Sequence, residues 1–192
     1  MDAESQPDKL QSSRDLRLIE PSVDLEWSYA SYLMEIMRQG EQPFPAVLSR
    51  TAESFSALVR TLQYSARGID LPDGEVPHST YWLVEGDSNE LVGVSNLRHE
   101  LTKEIARDRG HISFGIRPSQ RGRGLGRQLF DWTLERARQK GLDSVLLVIP
   151  ADDPASQKLA INAGAQLDST GVNGQGKPVK RYRLELTPSN EN

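Results

Sequence analysis

The sequence predicts an α/β protein with a mixed sheet, and three observations carry that expectation. The apolar, alternating run His111–Ile116 is followed by a glycine-rich turn and then by a long amphipathic stretch, which is a strand–turn–helix unit. Downstream, strand-like and helix-like segments alternate and end in two strand-like runs. The composition supports a packed core: 36% of the 192 residues are hydrophobic, and Pro and Gly are moderate in number. The length favours one domain.

The elements follow in order. Residues 1–14 are rich in Ser, Gln, Asp and Lys and read as a disordered tail. Leu16–Ile19 alternates enough for a first strand. Ser22 is a helix cap, with Leu25, Tyr29, Tyr32, Leu33 and Ile36 on one face and Gly40 as the stop. After the loop Gln42–Pro45, a second helix runs from about Thr51 to Gly68, with Phe55, Leu58, Val59 and Leu62 as its apolar side. Ile69–Pro77 holds two prolines and a glycine and reads as a surface loop, with His78 exposed at its end. Thr80–Glu85 and Leu91–Leu97 form a hairpin, and Arg98–Asp108 a short helical excursion. After the strand His111–Ile116, Leu129, Phe130, Thr133, Leu134 and Ala137 mark the buried stripe of the long helix, ended by Gly141. Val145–Ile149 is a buried strand. Asp153-Pro154 opens the next helix with an acidic cap and Pro in its first turn, and Gly164 ends it. Ala165–Thr170 and Val179–Leu186 are the last strands. Trp27, Tyr81, Trp82 and Trp132 are expected to pack. No internal repeat is present.

The chemistry concentrates in Arg121-Gly122-Arg123-Gly124-Leu125-Gly126. The first N–H groups of a helix have no partner inside it, and the helix dipole adds about half a positive charge there. Glycines let an anion approach the backbone. Arg117, Arg121, Arg123 and Arg127 surround the turn. A P-loop requires Lys-Ser/Thr after its last glycine, but Gly126 is followed by Arg127-Gln128. A dinucleotide fingerprint requires G-x-G-x-x-G. Counted from Gly122 its third glycine falls on Arg127, and counted from Gly124 on Leu129, so both frames fail. The pattern left is R-x-x-G-x-G after a strand that ends Ile116-Arg117-Pro118.

That pattern resembles the acyl-CoA motif of the GNAT superfamily of N-acetyltransferases, R/Q-x-x-G-x-G/A after V-x-P. The resemblance spans about residues 16–187. It implies a GNAT fold in βααβββ-αβαββ order, with a mixed, mostly antiparallel central sheet flanked by helices. The domain would cover residues 15–188, with a short C-terminal tail at 189–192. It also implies acetyl-CoA as cosubstrate, held in a gap between splayed strands. By position, backbone groups of Phe114, Gly115 and Ile116 would bind the pantetheine arm. Arg121, Gly122, Arg123, Gly124, Leu125, Gly126 and Arg127 would hold the pyrophosphate. Downstream, many members read N-x-x-A-x-x-x-Y-x-x-x-G-F. Here Asp153 takes the Asn position, Ser156 the Ala position, and Gly164 matches. Asp153 caps a helix and can also contact the ligand, with Ser156 beside it. Ala160 stands where many members carry a Tyr that protonates the departing thiolate, so that acid is absent.

The family's general base is often a Glu on a central strand, and Val148 fills one of its usual places. His111, at the start of the motif strand, and Glu100, after the preceding one, are the catalytic candidates. The resemblance implies acetyl transfer to a primary amine by direct attack in a ternary complex. The alternative is a non-catalytic acyl-CoA-binding module that serves as a sensor or structural partner.

Composition narrows the classes. There is no Cys, which excludes a disulfide framework, a thiolate metal site and a cysteine acyl-enzyme. No segment has metal-ligand spacing. Net charge is −4 with pI about 5.5, which argues against a general nucleic-acid partner. Residues 107–127 nonetheless hold six Arg and one Asp, a local basic patch suited to a small polyanion. No targeting or membrane segment is visible, so a cytoplasmic location is the expectation. Monomer and homodimer are equally compatible with the sequence.

Overall fold

The computed structural model describes residues 15–86 and 88–186. The expected tails at 1–14 and 189–192 lie outside them. Among the described residues, seven strands and five α-helices follow the predicted order, with one short helix, α3, in the excursion before the motif strand.

Strands β1 (Leu16–Ile19), β2 (His78–Glu85), β3 (Glu90–Arg98) and β4 (Ile112–Ile116) form a four-stranded antiparallel sheet in that order. Strands β5 (Ser144–Pro150), β6 (Gln166–Val172) and β7 (Pro178–Glu185) form a second one, with β7 in the middle. The two sheets touch at one isolated bridge between Gly110 and Leu147. All the ladders are antiparallel, and the sheet is divided at β4 and β5.

Helices cover both faces of the first sheet. α1 (Glu26–Arg38) is preceded by a 3₁₀ turn whose cap is Ser22, and α2 (Phe55–Ser65) is capped by Ser54. Leu25, Tyr29, Tyr32 and Ile36 from α1 and the turn before it pack with Leu58, Val59 and Leu62 of α2 against Trp82, Val84, Leu91 and Val94. α4 (Leu125–Gln139) lies on the other face, where Leu125 and Leu129 meet Leu83, Val92 and Ile116. Phe130, Leu134 and Ala137 of α4 continue into the core under the second sheet, which also takes in Ala160 of α5 (Pro154–Asn162). Because both faces of β2 and β3 are covered, nearly all their residues are buried.

Three sequence expectations change. His78 is buried rather than exposed: Nδ1 meets the Val76 carbonyl at 2.8 Å and Nε2 meets Arg50 at 3.3 Å. Arg117 does not face the glycine turn. Its guanidinium is buried beneath α1, where it donates to the Leu91 and Ser28 carbonyls and pairs with Glu90 at 2.8 Å. Trp27 does not pack; it is 88% exposed on the outer face of α1.

Candidate active site

The site lies where β4 and β5 part. At the closed end, the His111 N–H donates to the Leu146 carbonyl at 2.7 Å, and the Leu146 N–H donates to His111 Nδ1 at 2.8 Å. Beyond that fork β4 is hydrogen-bonded to β3 alone. The Arg117 N–H donates to the Val92 carbonyl on β3. Antiparallel alternation therefore turns the peptide groups of Ile116 and Phe114 toward the unpaired edge. The Arg121 Nε–H already donates to the Ile116 carbonyl there, at 3.1 Å.

That edge leads to the N-terminus of α4. Gly124, the N-cap, adopts φ +79° and Gly122 φ +74°, left-handed conformations that favour glycine. No atom would stand within 4 Å of a side chain at either position. Gly124 offers no side-chain cap, so the amides of Leu125 and Gly126 have no acceptor inside the helix. The result is an uncapped, positively polarised helix end over open space, suited to an anion.

Between these parts runs a cleft of about 550 Å³, within the range of small-molecule sites. Its walls are Phe114, Gly115 and Ile116 of β4, the turn Gln120–Gly122 with Leu125 and Gly126, Asp153 and Ser156 at the start of α5, and Tyr32 and Ile36 of α1 with the loop at Glu41–Phe44. A narrower extension of about 80 Å³ reaches between the strands, past Ser113, Val148 and Ile149, to Ala160. Phe114, Phe44, Asp153, Ser156 and Leu159 border both spaces. Gly115 is needed because the Phe44 carbonyl rests against it; an added Cβ would collide with that oxygen.

The charged groups around the turn already have partners. Arg121 makes a bidentate pair with Glu41 at 2.6 and 2.7 Å, which joins the turn to the loop after α1. That pair holds the Glu41 carboxyl below its usual range. Arg127 is bound to Asp131 one helical turn on, and Arg123 to Gln120. Asp153 accepts from the Ser156 N–H at 3.0 Å and from its hydroxyl at 2.6 Å, so it caps α5 while lining the cleft.

The structure thus gathers Phe114, Gly115, Ile116, Arg121, Gly122, Leu125, Gly126, Asp153 and Ser156 around one cleft, with Arg123, Gly124 and Arg127 in the adjoining turn and helix start. His111 and Glu100 do not line it. Glu100 is exposed beyond the end of β3. Burial, reinforced by Arg183 and Arg98, pushes the His111 pKa down to about 4. A neutral ring whose Nδ1 accepts from Leu146 carries its proton on Nε2, so it has no free lone pair with which to take another.

Sequence reasoning missed Tyr32. Its ring is fully buried, and its hydroxyl has no hydrogen-bond partner among the described residues. That oxygen stands 3.6 Å from where a Gly115 Cβ would be, and burial raises its pKa well above the usual tyrosine value. A Tyr at a core position of an amphipathic helix reads as packing, so the sequence held no signal for a second role.

The comparisons agree with this geometry. The sequence model of the acetyltransferase (GNAT) family matches residues 44–164, more than half of the chain. The chain therefore belongs to the GNAT acetyltransferase family and is an enzyme of acetyl transfer. Among solved structures, it is similar to a chimera of the spermidine N-acetyltransferase SpeG from Vibrio cholerae and hSSAT. The identity is 21%, the match covers 89% of this chain and 95% of that one, and the TM-score is 0.59. It is similar to yncA from Salmonella typhimurium, a structure containing acetyl-CoA, at 14% identity over 92% and 96% of the chains with TM-score 0.60. A GNAT-family acetyltransferase from Streptococcus pneumoniae matches at 14% identity over 90% and 100% of the chains with TM-score 0.63. At these identities the likeness is one of fold. The comparison with curated proteins gives no match.

Proposed function

We propose that this enzyme transfers the acetyl group of acetyl-CoA to a primary amine by direct attack within a ternary complex. One observation carries the reading: the unpaired edge of β4 runs through a single cleft into the uncapped N-terminus of α4. The pyrophosphate fits the open helix end at Gly122–Gly126, where the space beside Gly122 and Gly124 is clear. The edge-facing peptide groups of Phe114 and the Ile116 N–H match an extended, amide-bearing arm. The Ile116 or Phe114 N–H is the preorganised donor for the oxyanion that develops as the C–N bond forms.

The amine must arrive unprotonated, because a lysine-like pKa of about 10.4 leaves little free base at neutral pH. Neither His111 nor Glu100 lines the cleft, and the carboxylates that do, Glu41 and Asp153, are engaged by Arg121 and Ser156, so the proton leaves to water. The intermediate collapses with the C–S electron pair passing to sulfur. A thiol pKa of about 8.5 makes that thiolate a workable leaving group. Ala160 has no proton to offer it. Tyr32 is the phenol beside β4, and its hydroxyl, unpartnered among the described residues, is the donor proposed for the departing sulfur. With its pKa raised, it acts as a hydrogen-bond donor and keeps its proton.

Ala160, buried at the bottom of the narrow extension, also supports a second reading, an acyl-CoA-binding module without turnover. Two measurements separate them. Acetyl-CoA is expected to raise the melting temperature, by mass action on the native state, far more than ATP or NAD. Release of free CoA over an amine panel then reports turnover. Binding without release on any amine selects the module, and equal shifts with NAD and acetyl-CoA would remove both readings.

A further inference from the structure

α1 is apolar on two opposite faces, and among the described residues only one of them has a partner. Leu25, Tyr29, Tyr32 and Ile36 are buried against the sheet. On the outer side Val23 is 52% exposed, Trp27 88%, Met34 46% and Met37 59%. At 100° per residue Trp27, Ala30, Met34 and Met37 of α1 fall on one stripe about 80° wide, and the exposed Val23 of the 3₁₀ turn before it extends the stripe, the seam of a helix that packs on another helix. Isolated exposed apolar residues are ordinary, but a contiguous stripe anchored on an exposed Trp marks an interaction surface.

The stripe has a centre. About Ala30, its large residues lie seven and three positions before and four and seven positions after. It therefore complements itself when reversed: Trp27 of one helix faces Met34 of another, and Val23 faces Met37. Thioether–aromatic contacts of this kind are favourable, and a small residue at the crossing lets two helices approach closely. The flank matches as well. Exposed Asp24 and Arg38 lie on the same side of the stripe, near opposite ends, so reversal brings Asp24 of each copy toward Arg38 of the other. Self-complementarity about one point is the requirement of a two-fold, isologous contact.

We infer that the outer face of α1 binds a second copy of this chain, with the two helices antiparallel and crossing at Ala30. The inference does not depend on the acetyl-transfer reading. Its stripe, with the 3₁₀ turn included, is about 22 Å long at 1.5 Å per residue. It leaves the cleft open, since the cleft faces the other side of α1 through Tyr32 and Ile36.

The test is sedimentation velocity on the full chain, with circular dichroism to verify folding. The wild type is expected to sediment as a dimer at micromolar concentration. Trp27→Glu and Met34→Glu are each expected to weaken dimerisation at least 100-fold without loss of helicity, because both side chains are exposed in the single chain. Asp24→Arg or Arg38→Asp alone is expected to weaken it several-fold, and the double exchange to restore it. The chain has no Cys, so an introduced one reports geometry cleanly. Ala30→Cys is expected to form an intermolecular disulfide on mild oxidation. Arg38→Cys is not, since its two copies would lie about 24 Å apart. A wild type that stays monomeric at 100 µM overturns the inference, as does a dimer unaffected by Trp27→Glu or cross-linked as readily through residue 38 as through residue 30. Stabilisation by acetyl-CoA is read separately and is expected to survive in Trp27→Glu, so failure of the dimer and failure of the cofactor reading are told apart.

Discussion

The two ends of β4 are built on opposite rules. At its start, polar side chains are buried or half-buried and hydrogen-bonded, although Arg98 Nε has no hydrogen-bond partner among the described residues. Arg98 reaches the Gly110 carbonyl and Ser113 Oγ, His111 ties β4 to β5 through Leu146, and Glu75 holds Arg109 at 2.6 Å. At its finish, peptide groups and a helix N-terminus face a cleft with few internal partners. The first end fixes where the strands meet. The second keeps hydrogen-bonding capacity for a ligand.

The largest expected effect breaks the open end. Gly124→Asp places a carboxylate where the pyrophosphate is proposed to bind, and like-charge contact costs several kcal/mol. Acetyl-CoA affinity is expected to fall about 10³-fold by calorimetry. A left-handed φ costs a side-chain residue about 1–2 kcal/mol, less for Asp and Asn, so some stability is lost too. Gly124→Asn separates the two effects, since it carries the same backbone strain without the charge. Equal affinity losses in both variants would mean that the backbone conformation, not the charge, controls the site.

The next effect breaks the closed end. Arg98 is 3% exposed, and burial lowers its pKa to about 10. Replacing it by Met removes the donor to Gly110 and Ser113 and leaves two acceptors buried. A loss of about 2–4 kcal/mol is expected in urea unfolding, from the unsatisfied groups. If the two ends are as separate as their construction indicates, acetyl-CoA affinity changes by less than about threefold, within the additivity of distant sites. A large loss of affinity in Arg98→Met would show that the fork sets the width of the cleft.

Tyr32→Phe sharpens the comparison, because Tyr32 stands beside the open end. Its buried hydroxyl has no partner among the described residues, so deleting it is expected to leave the melting temperature unchanged or slightly higher. A group that serves only packing would show nothing else. A donor to the departing sulfur is expected to lose about 100-fold in kcat, the low end for such groups, with KM for acetyl-CoA little changed. Unaltered kcat would return Tyr32 to the core.

The two ends also differ in what the sequence disclosed. The glycine turn is local, and its chemistry resides in the backbone, so Gly122, Gly124 and Gly126 announced it, and the helices and strands around it followed from periodicity. The fork depends on residues far apart in the chain that meet only in space. Arg98 finds Ser113, His111 finds Leu146, and His78 finds Arg50 across 28 positions. No spacing encodes such meetings, so His78 read as exposed and His111 as a base. Arg117 misled for the opposite reason. It sits beside the glycine turn in sequence, but strand alternation sends it under α1. Trp27 misled because a large aromatic on an amphipathic helix ordinarily packs, and the pattern does not reveal that both faces of α1 are apolar until the buried one is known.

The smallest effect concerns His111 and reads the fork through its proton. In the unfolded chain a histidine titrates near 6.5, and in the fold burial holds His111 near 4. Between those values the unfolded state binds more protons, so acid favours unfolding. The stabilisation is fully present above pH 6.5 and declines as pH falls through that window toward 4. His99, also lowered to about 4 by burial, contributes in the same direction. Carboxylates add their own dependence at the acid end, so the informative range is pH 5 to 6.5. His111→Asn keeps an acceptor for the Leu146 N–H and has no proton to gain. Stability measured by urea unfolding at each pH is expected to fall less steeply in the variant than in the wild type, with the remaining slope due to His99 and to His78, whose pKa burial also lowers. Because the ring is partly accessible to solvent, the change is a modest one in slope and no collapse of the fold. Turnover measured on the same samples decides whether His111 also acts as a base. If His111 is a strut, kcat/KM keeps its pH profile in the variant. A loss of about 10²-fold together with the disappearance of an acid limb would restore it as the base.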